Sequence, residues 1–312
     1  MTTGSATRAT DPRRDVWIGL AAFVITSVFW GANMPLTAVL LRSFDPFWLT
    51  LWRLVLASIA LGAMVWATEG RAALRLDISW PRFLLLSLAV SIFYVDYNLA
   101  LRYTNTITAA AVLAGAPIVA VTTLWVITRT PVERGFGVAA LLTIIGGAIA
   151  IYGRAGSTGG SLRLEGGEPL VVLSIVLWTL YSILAQRWFP PAVSQLRRAY
   201  VASVGAIFWL FLFWGACRGA GLAGPPNVTP SGEAILWLLV TAVFATAVGS
   251  FTWNIGVSRL GIAMGSLWQN AVPVFGVLIA ILFGIQPTAE QVAGGVVVMV
   301  GVLYMQWRRF RA

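Results

Sequence analysis

Pro117 and Pro273 sit deep inside long apolar runs, where each removes an amide donor that water cannot replace. Each also displaces the carbonyl four residues earlier, at Leu113 and Gln269. A carbonyl freed at membrane depth and facing a wet cavity can accept from an ammonium group. The same prolines could equally be packing kinks or hinges. Asp96 is the acid well inside an apolar run, and Arg53 is the matching base. An ionised carboxylate near the bilayer centre costs on the order of 3 kcal/mol, which makes Asp96 a candidate for holding a substrate ammonium or a proton. At about 1.5 Å per residue, both charges lie roughly 8–10 Å beneath the same membrane surface, so a structural Arg53–Asp96 pair, or two snorkelling side chains, is the competing reading.

Aromatic and amide side chains complete the candidate site. They are Trp30 and Asn33, then Tyr94, Tyr97 and Asn98, then Trp178 and Tyr181, then Trp253 and Asn254, and finally Trp268, Gln269 and Asn270. Mid-span indoles and phenols offer flat surface to an apolar substrate, whereas tryptophans near span ends, such as Trp17, Trp80 and Trp307, read as an interfacial belt. An amide in lipid is costly unless paired, so Asn98, Asn254 and Asn270 face protein or water, as helix-to-helix contacts or as substrate contacts.

The elements carrying these residues come from an internal repeat. Asn98 and Asn254, Pro117 and Pro273, and Pro131 and Pro287 all stand 156 residues apart. A shared register inside apolar spans indicates duplication, and matched proline-interrupted segments in two halves point to a substrate site. Gln269-Asn270 faces Leu113-Ala114 in that register, and a difference between repeats is where a specific substrate would be recognised.

Mean hydropathy is +0.84, and of 312 residues 59% are hydrophobic and only 10% charged, so the chain is read as a lipid-solvated helical protein. Apolar runs fall at 16–41, 46–67, 81–101, 107–127, 134–152, 168–188, 198–218, 233–255, 263–284 and 289–307. This predicts an all-α integral membrane protein of ten transmembrane helices in two inverted five-helix repeats. The expected division is a tail at 1–15, a first repeat at 16–152, a linker at 153–167, a second repeat at 168–307 and a tail at 308–312. All 21 basic residues are arginine, and with the N-terminus inside fifteen fall in cytoplasmic segments against five outside. That places both termini in the cytoplasm, in a bacterial inner membrane. An odd number of helices per half turns the second half upside down. Gly146-Gly147, Gly294-Gly295 and Gly301 would permit close helix contact, within the chain or at a dimer face.

FWGANMP at 29–35, DPFWLTLWRLVLAS at 45–58 and the paired YNLAL…Pro117 and WNIGV…Pro273 spans resemble EamA-type members of the drug/metabolite transporter superfamily. Within it the chain looks most like the YddG-type amino-acid exporters. The resemblance implies a basket of two five-helix repeats, with a cavity lined by helices 1, 3, 4 and 6, 8, 9. Many members carry a Gly-Glu pair late in the fourth helix of each repeat; Thr128-Arg129 and Gly284-Ile285 stand there instead, so that acid is missing.

The function expected is secondary export of neutral and aromatic amino acids by alternating access. Carbonyls, amides or Asp96 would meet the ammonium, and amide donors the carboxylate. Export of a cationic amphiphile or a sugar phosphate is the alternative, and a channel or scaffold a further class. With no histidine, no lysine and one cysteine, Cys217, the composition excludes a Ser-His-Asp triad, a Schiff-base lysine and a Cys/His metal site. Neither a cofactor nor a metal is expected. The partners are a small-molecule substrate and the bilayer, without nucleic acid, and the chain is read as a monomer or weak homodimer.

Overall fold

The computed structural model describes residues 12–158, 162–282, 284 and 286–311. Most of the amino-terminal tail, part of the linker, Ile285 and the last residue of the carboxyl tail therefore lie outside the described residues. Eleven α-helices follow in order: α1 Pro12–Leu40, α2 Pro46–Glu69, α3 Trp80–Tyr103, α4 Thr106–Ala114, α5 Ala116–Thr128, α6 Phe136–Thr158, α7 Glu168–Arg187, α8 Gln195–Gly219, α9 Gly232–Val240, α10 Gly249–Leu282 and α11 Ala289–Arg311. A π-helical segment, Thr241–Val248, joins α9 to α10 without a break.

Local sequence explains the helix starts. Asp45 accepts from the amides of Phe47 and Trp48 at 3.0 and 3.2 Å, with Pro46 in the first helical position. Asn105, Ser194 and Ser231 cap α4, α8 and α9 in the same way. Capping matters here because helix ends leave amide groups unsatisfied where the chain re-enters an apolar medium.

The continuous helix from Gly232 to Leu282 holds 51 residues, which at about 1.5 Å each is more than twice the roughly 30 Å of a hydrocarbon core. Gly261 divides it, with φ at 82°, a region that glycine enters without a Cβ penalty. α4 and α5 form one crossing bent by 49° at Gly115. With those two features the chain makes ten crossings, five in each repeat. α1 begins before Val16, and α6 runs through Thr158 into the stretch read as a joint.

Helix pairing follows a two-fold relation between the inverted repeats. The second crossings, α2 and α8, face each other, and so do the fifth, α6 and α11. α3 packs on α7, and its repeat-related partner α10 packs on α1. At the α6–α11 crossing, a Cβ on Gly146 would stand 2.5 Å from the Gly294 carbonyl oxygen. Gly147, Gly295 and Gly301 likewise lie against Ala114, Val274 and Ala139 of the same chain. These glycines serve packing within the chain. Ile59, Trp66, Phe208, Phe211, Leu236 and Val296 point outward, which suits a lipid solvent.

Candidate functional site

A cavity of about 180 Å³ lies at the centre of the helices. α1 contributes Trp30 and Asn33, α2 contributes Thr50, Arg53 and Leu54, and α3 contributes Phe93 and Tyr94. Trp178 of α7, Ala245 and Thr246 of the π-helical segment, and Ser250 and Gln269 of α10 close it. The lining residues sit near the middle of α3 and α7, in the first turns of α2 and in the second half of α1.

The walls are aromatic and mutually supported. Trp30 meets Trp178 edge-on at 5.5 Å, Phe93 lies 5.0 Å from Trp178, and Tyr94 lies 5.1 Å from Phe93. Such tilted and edge contacts hold rings in fixed orientation. The Trp30 indole nitrogen also donates to the Ala245 carbonyl at 2.9 Å, a bond inside the π-helical segment. Segments of this kind recur at functional sites because they shift the backbone by one residue.

The polar groups are few. Arg53 donates through Nη2 to the Thr37 hydroxyl at 3.0 Å, and Thr37 donates to Asn33 Oδ1 at 3.2 Å. Arg53 Nε is buried without a partner. Among the described residues, the Gln269 side chain forms no hydrogen bond with protein, and the residue borders the cavity. None of the twelve lining side chains is acidic.

Other residues read as candidates stand behind the lining. Asn98 donates to Thr50 Oγ1 at 3.2 Å, and Tyr97 stacks on Phe93 at 6.5 Å. Asn254 is fully buried and bonds the Tyr181 hydroxyl at 3.2 Å. Trp253 donates to Ser182 at 3.1 Å and stacks on Trp30 at 5.4 Å, beneath the cavity. Trp268 packs on Phe23, about two turns of α1 toward the end bearing the N-terminus.

The two prolines part company. Pro117 lies at the start of α5, after a break at Gly115, whereas Pro273 lies inside α10. Past the break, Ile118 and Val119 both donate to the Gly115 carbonyl, which leaves Ala114 without a helical donor. Asn270 supplies one: its Nδ2 donates to the Ala114 carbonyl at 2.9 Å. These positions are 156 residues apart, so the repeats touch each other at equivalent sites.

Asp96 is 5% exposed, with Oδ2 unpartnered, and does not border the cavity. No ion pair joins it to Arg53 among the described residues, which corrects the structural-pair reading: equal depth does not bring the charges onto facing sides. The cavity also takes residues from the second crossing and none from the fourth, unlike the pattern the resemblance implied. The bent fourth crossing is occupied with α6, α7 and α10.

Comparison with known proteins is consistent along the chain. The model of the EamA-like transporter family matches it twice, over residues 17–152 and 166–307. The chain belongs to the EamA-like transporter family. It is therefore an integral membrane transporter and not an enzyme. Among similar proteins, the uncharacterized transporter YyaM of Bacillus subtilis (strain 168) is 24% identical, covering 93% of this chain and 92% of its own. A probable terminal-alkyne amino-acid exporter of Streptantibioticus cattleyicolor is 24% identical over 92% of this chain and 93% of its own. The aromatic amino acid exporter YddG of Ancylobacter novellus is 22% identical, over 52% of this chain and 53% of its own. A solved crystal structure superposes with a TM-score of 0.76 at 20% identity, covering 96% of this chain and 99% of that one, and shares the fold.

Thr50, Leu54, Phe93, Ala245, Thr246 and Ser250 were not singled out from the sequence. Phe93 could have been found beside Tyr94, and Thr50 one turn before Arg53. Ala245 and Thr246 could not, because a π-helical segment carries no recognisable pattern of residue types.

Proposed function

We propose that this chain is a secondary exporter of neutral and aromatic amino acids, working by alternating access at the central cavity. The observation that carries this reading is the lining itself: indole and phenyl walls with one cation and no acid. A cationic amphiphile would find no counter-charge there. A sugar phosphate brings about two negative charges to a single guanidinium, with no second cation to share them. A zwitterion brings opposite charges that largely cancel, and its apolar side chain fits the aromatic wall. In this reading Trp30, Phe93 and Trp178 contact the side chain, while the oxygens of Gln269, Ser250 and Tyr94 accept from the ammonium. Trp253, Asn254, Tyr181, Asn98 and Asn270 hold the wall in place. Pro273 and the break before Pro117 supply hinges. Two relatives bear amino-acid exporter names, which supports the substrate class.

The chain acts as a monomer or weak homodimer in a bacterial inner membrane, with both termini cytoplasmic and the repeats 16–152 and 168–307 as its two working units. Reconstituted in liposomes, it should move labelled phenylalanine down a gradient with saturation and counterflow, and leucine and tryptophan should compete. Linear, unsaturable flux would indicate a channel. Saturable uptake of glucose 6-phosphate without phenylalanine flux would reject the amino-acid reading.

A further inference from the structure

We infer that Arg53 is the anion anchor of the cavity, receiving the substrate carboxylate on the guanidinium edge that the protein leaves unpaired. The inference rests on the amino-acid reading above and supplies a charged contact for the carboxylate. A guanidinium presents five N–H donors. Arg53 spends one on Thr37, its Nε is buried without a partner, and no carboxylate reaches it among the described residues. A charge held this way in the interior of a membrane protein is expensive until something of opposite sign arrives.

The repeat contains its own control. Arg53-Leu-Val-Leu-Ala-Ser58 of α2 resembles Arg198-Ala-Tyr-Val-Ala-Ser203 of α8, the second crossing of the other repeat, with Arg53 eighth in its helix and Arg198 fourth. Arg198 has every guanidinium nitrogen engaged by protein. It donates to the carbonyls of Val193 and Ala185 at 3.1 Å, Pro190 at 3.2 Å and Gln186 at 3.3 Å, so it fastens the end of α7. Arg53 instead reaches the last turn of α1 through Thr37 alone. Arg53 borders the cavity together with Trp178 and Phe93. Fastened on one side by Thr37 and Asn33, the planar group is held ready for a two-oxygen acceptor. A carboxylate matches it in geometry and in charge.

The test uses purified full-length protein and the fluorescence of its cavity tryptophans. The ligands are phenylalanine, 3-phenylpropionate, phenethylamine and phenylalaninamide, which share a phenyl group and differ in the carboxylate. Phenylalanine and 3-phenylpropionate should bind, and the two ligands without a carboxylate at least about tenfold more weakly. Arg53→Gln should erase that difference, and Arg53→Lys should retain part of it. Equal binding of phenethylamine and 3-phenylpropionate by the unmodified protein would overturn the inference, whether or not the variants fold. So would phenylalanine transport with unchanged KM in a folded Arg53→Gln protein, although amino-acid export would survive that result. Binding of 3-phenylpropionate that depends on Arg53, in a protein that moves no amino acid, would keep the anchor and reject the amino-acid reading. Tighter Arg53-dependent binding of glucose 6-phosphate than of phenylalanine would reject the carboxylate assignment.

Discussion

Trp178 borders the cavity and touches Trp30, Phe93 and Trp253, whereas Trp268 is 2% exposed and packs on Phe23 away from the lining. Alanine at each position should separate recognition from scaffold. Trp178→Ala removes ring surface that a large substrate would cover, worth roughly 1.5–3 kcal/mol, so KM for phenylalanine should rise about tenfold or more while that for alanine changes little. Trp268→Ala should instead lower the melting temperature in detergent, by a loss on the order of 3 kcal/mol, with equal effects on both substrates. Equal losses for both substrates in Trp178→Ala would make that indole scaffold too. Arg53 and Asp96 offer a second measurement. Without an ion pair between them, the effects of Arg53→Gln and Asp96→Asn on stability should add within about 0.5 kcal/mol in a double-mutant cycle. At this scale the sequence revealed which residues are out of place in lipid, but not what they satisfy. Gln269 borders the cavity while its neighbour Asn270 serves the Ala114 carbonyl, and both are amides in one apolar run. An amide in lipid needs a partner whichever role it plays, so residue type does not distinguish them.

The fourth and ninth crossings began as copies and now differ. Gly115 breaks one of them, and the equivalent Ala271 continues the helix fully buried. Asn270 pays for that break by bonding the carbonyl it exposes. Asn270→Leu should therefore destabilise the protein by about 1–3 kcal/mol, because a buried carbonyl would be left unsatisfied. Thermal melting in detergent reads that loss, and an unchanged melting temperature would show that the carbonyl finds another donor. Gly294→Val should be harsher, since its Cβ would meet the Gly146 backbone across the α6–α11 crossing. Most elements were legible in advance, since a run of about 20 apolar residues with a cap before it becomes a helix almost regardless of context. The turn at Gly261 falls in the expected gap between the runs 233–255 and 263–284, but the break at Gly115 and the π-helical segment were not legible. Each is a backbone choice fixed by neighbouring helices, and glycine or small apolar residues permit such choices without announcing them.

Across the whole molecule, charged residues occur at both ends, but the ion pairs gather at one. The ion pairs among the described residues join Arg75 to Asp77, Arg197 to Glu69 and Asp77, Arg259 to Asp15, and Arg309 to Glu133. Counting crossings, every one of these residues lies on the face that bears the start of α1. The opposite face is joined by neutral or singly charged hydrogen bonds: Asp45 accepts from the Gly224 amide at 2.7 Å, Thr104 donates to Glu168 at 2.7 Å, and Asn227 donates to the Ser43 carbonyl at 2.8 Å. In the proposed orientation this face is the cytoplasmic one, because segments rich in arginine resist translocation. Orientation can be read with single cysteines in a Cys217→Ala background. Val132 is exposed between the fourth and fifth crossings, and Leu164 is exposed between the fifth and sixth. A membrane-impermeant maleimide should label Leu164→Cys in intact cells and Val132→Cys only after permeabilisation. The reverse pattern would turn the protein over while leaving the repeat intact. Labelling of both from one side would mean that α6 does not cross, which would leave an even number of crossings in the first half and remove the reason for inversion.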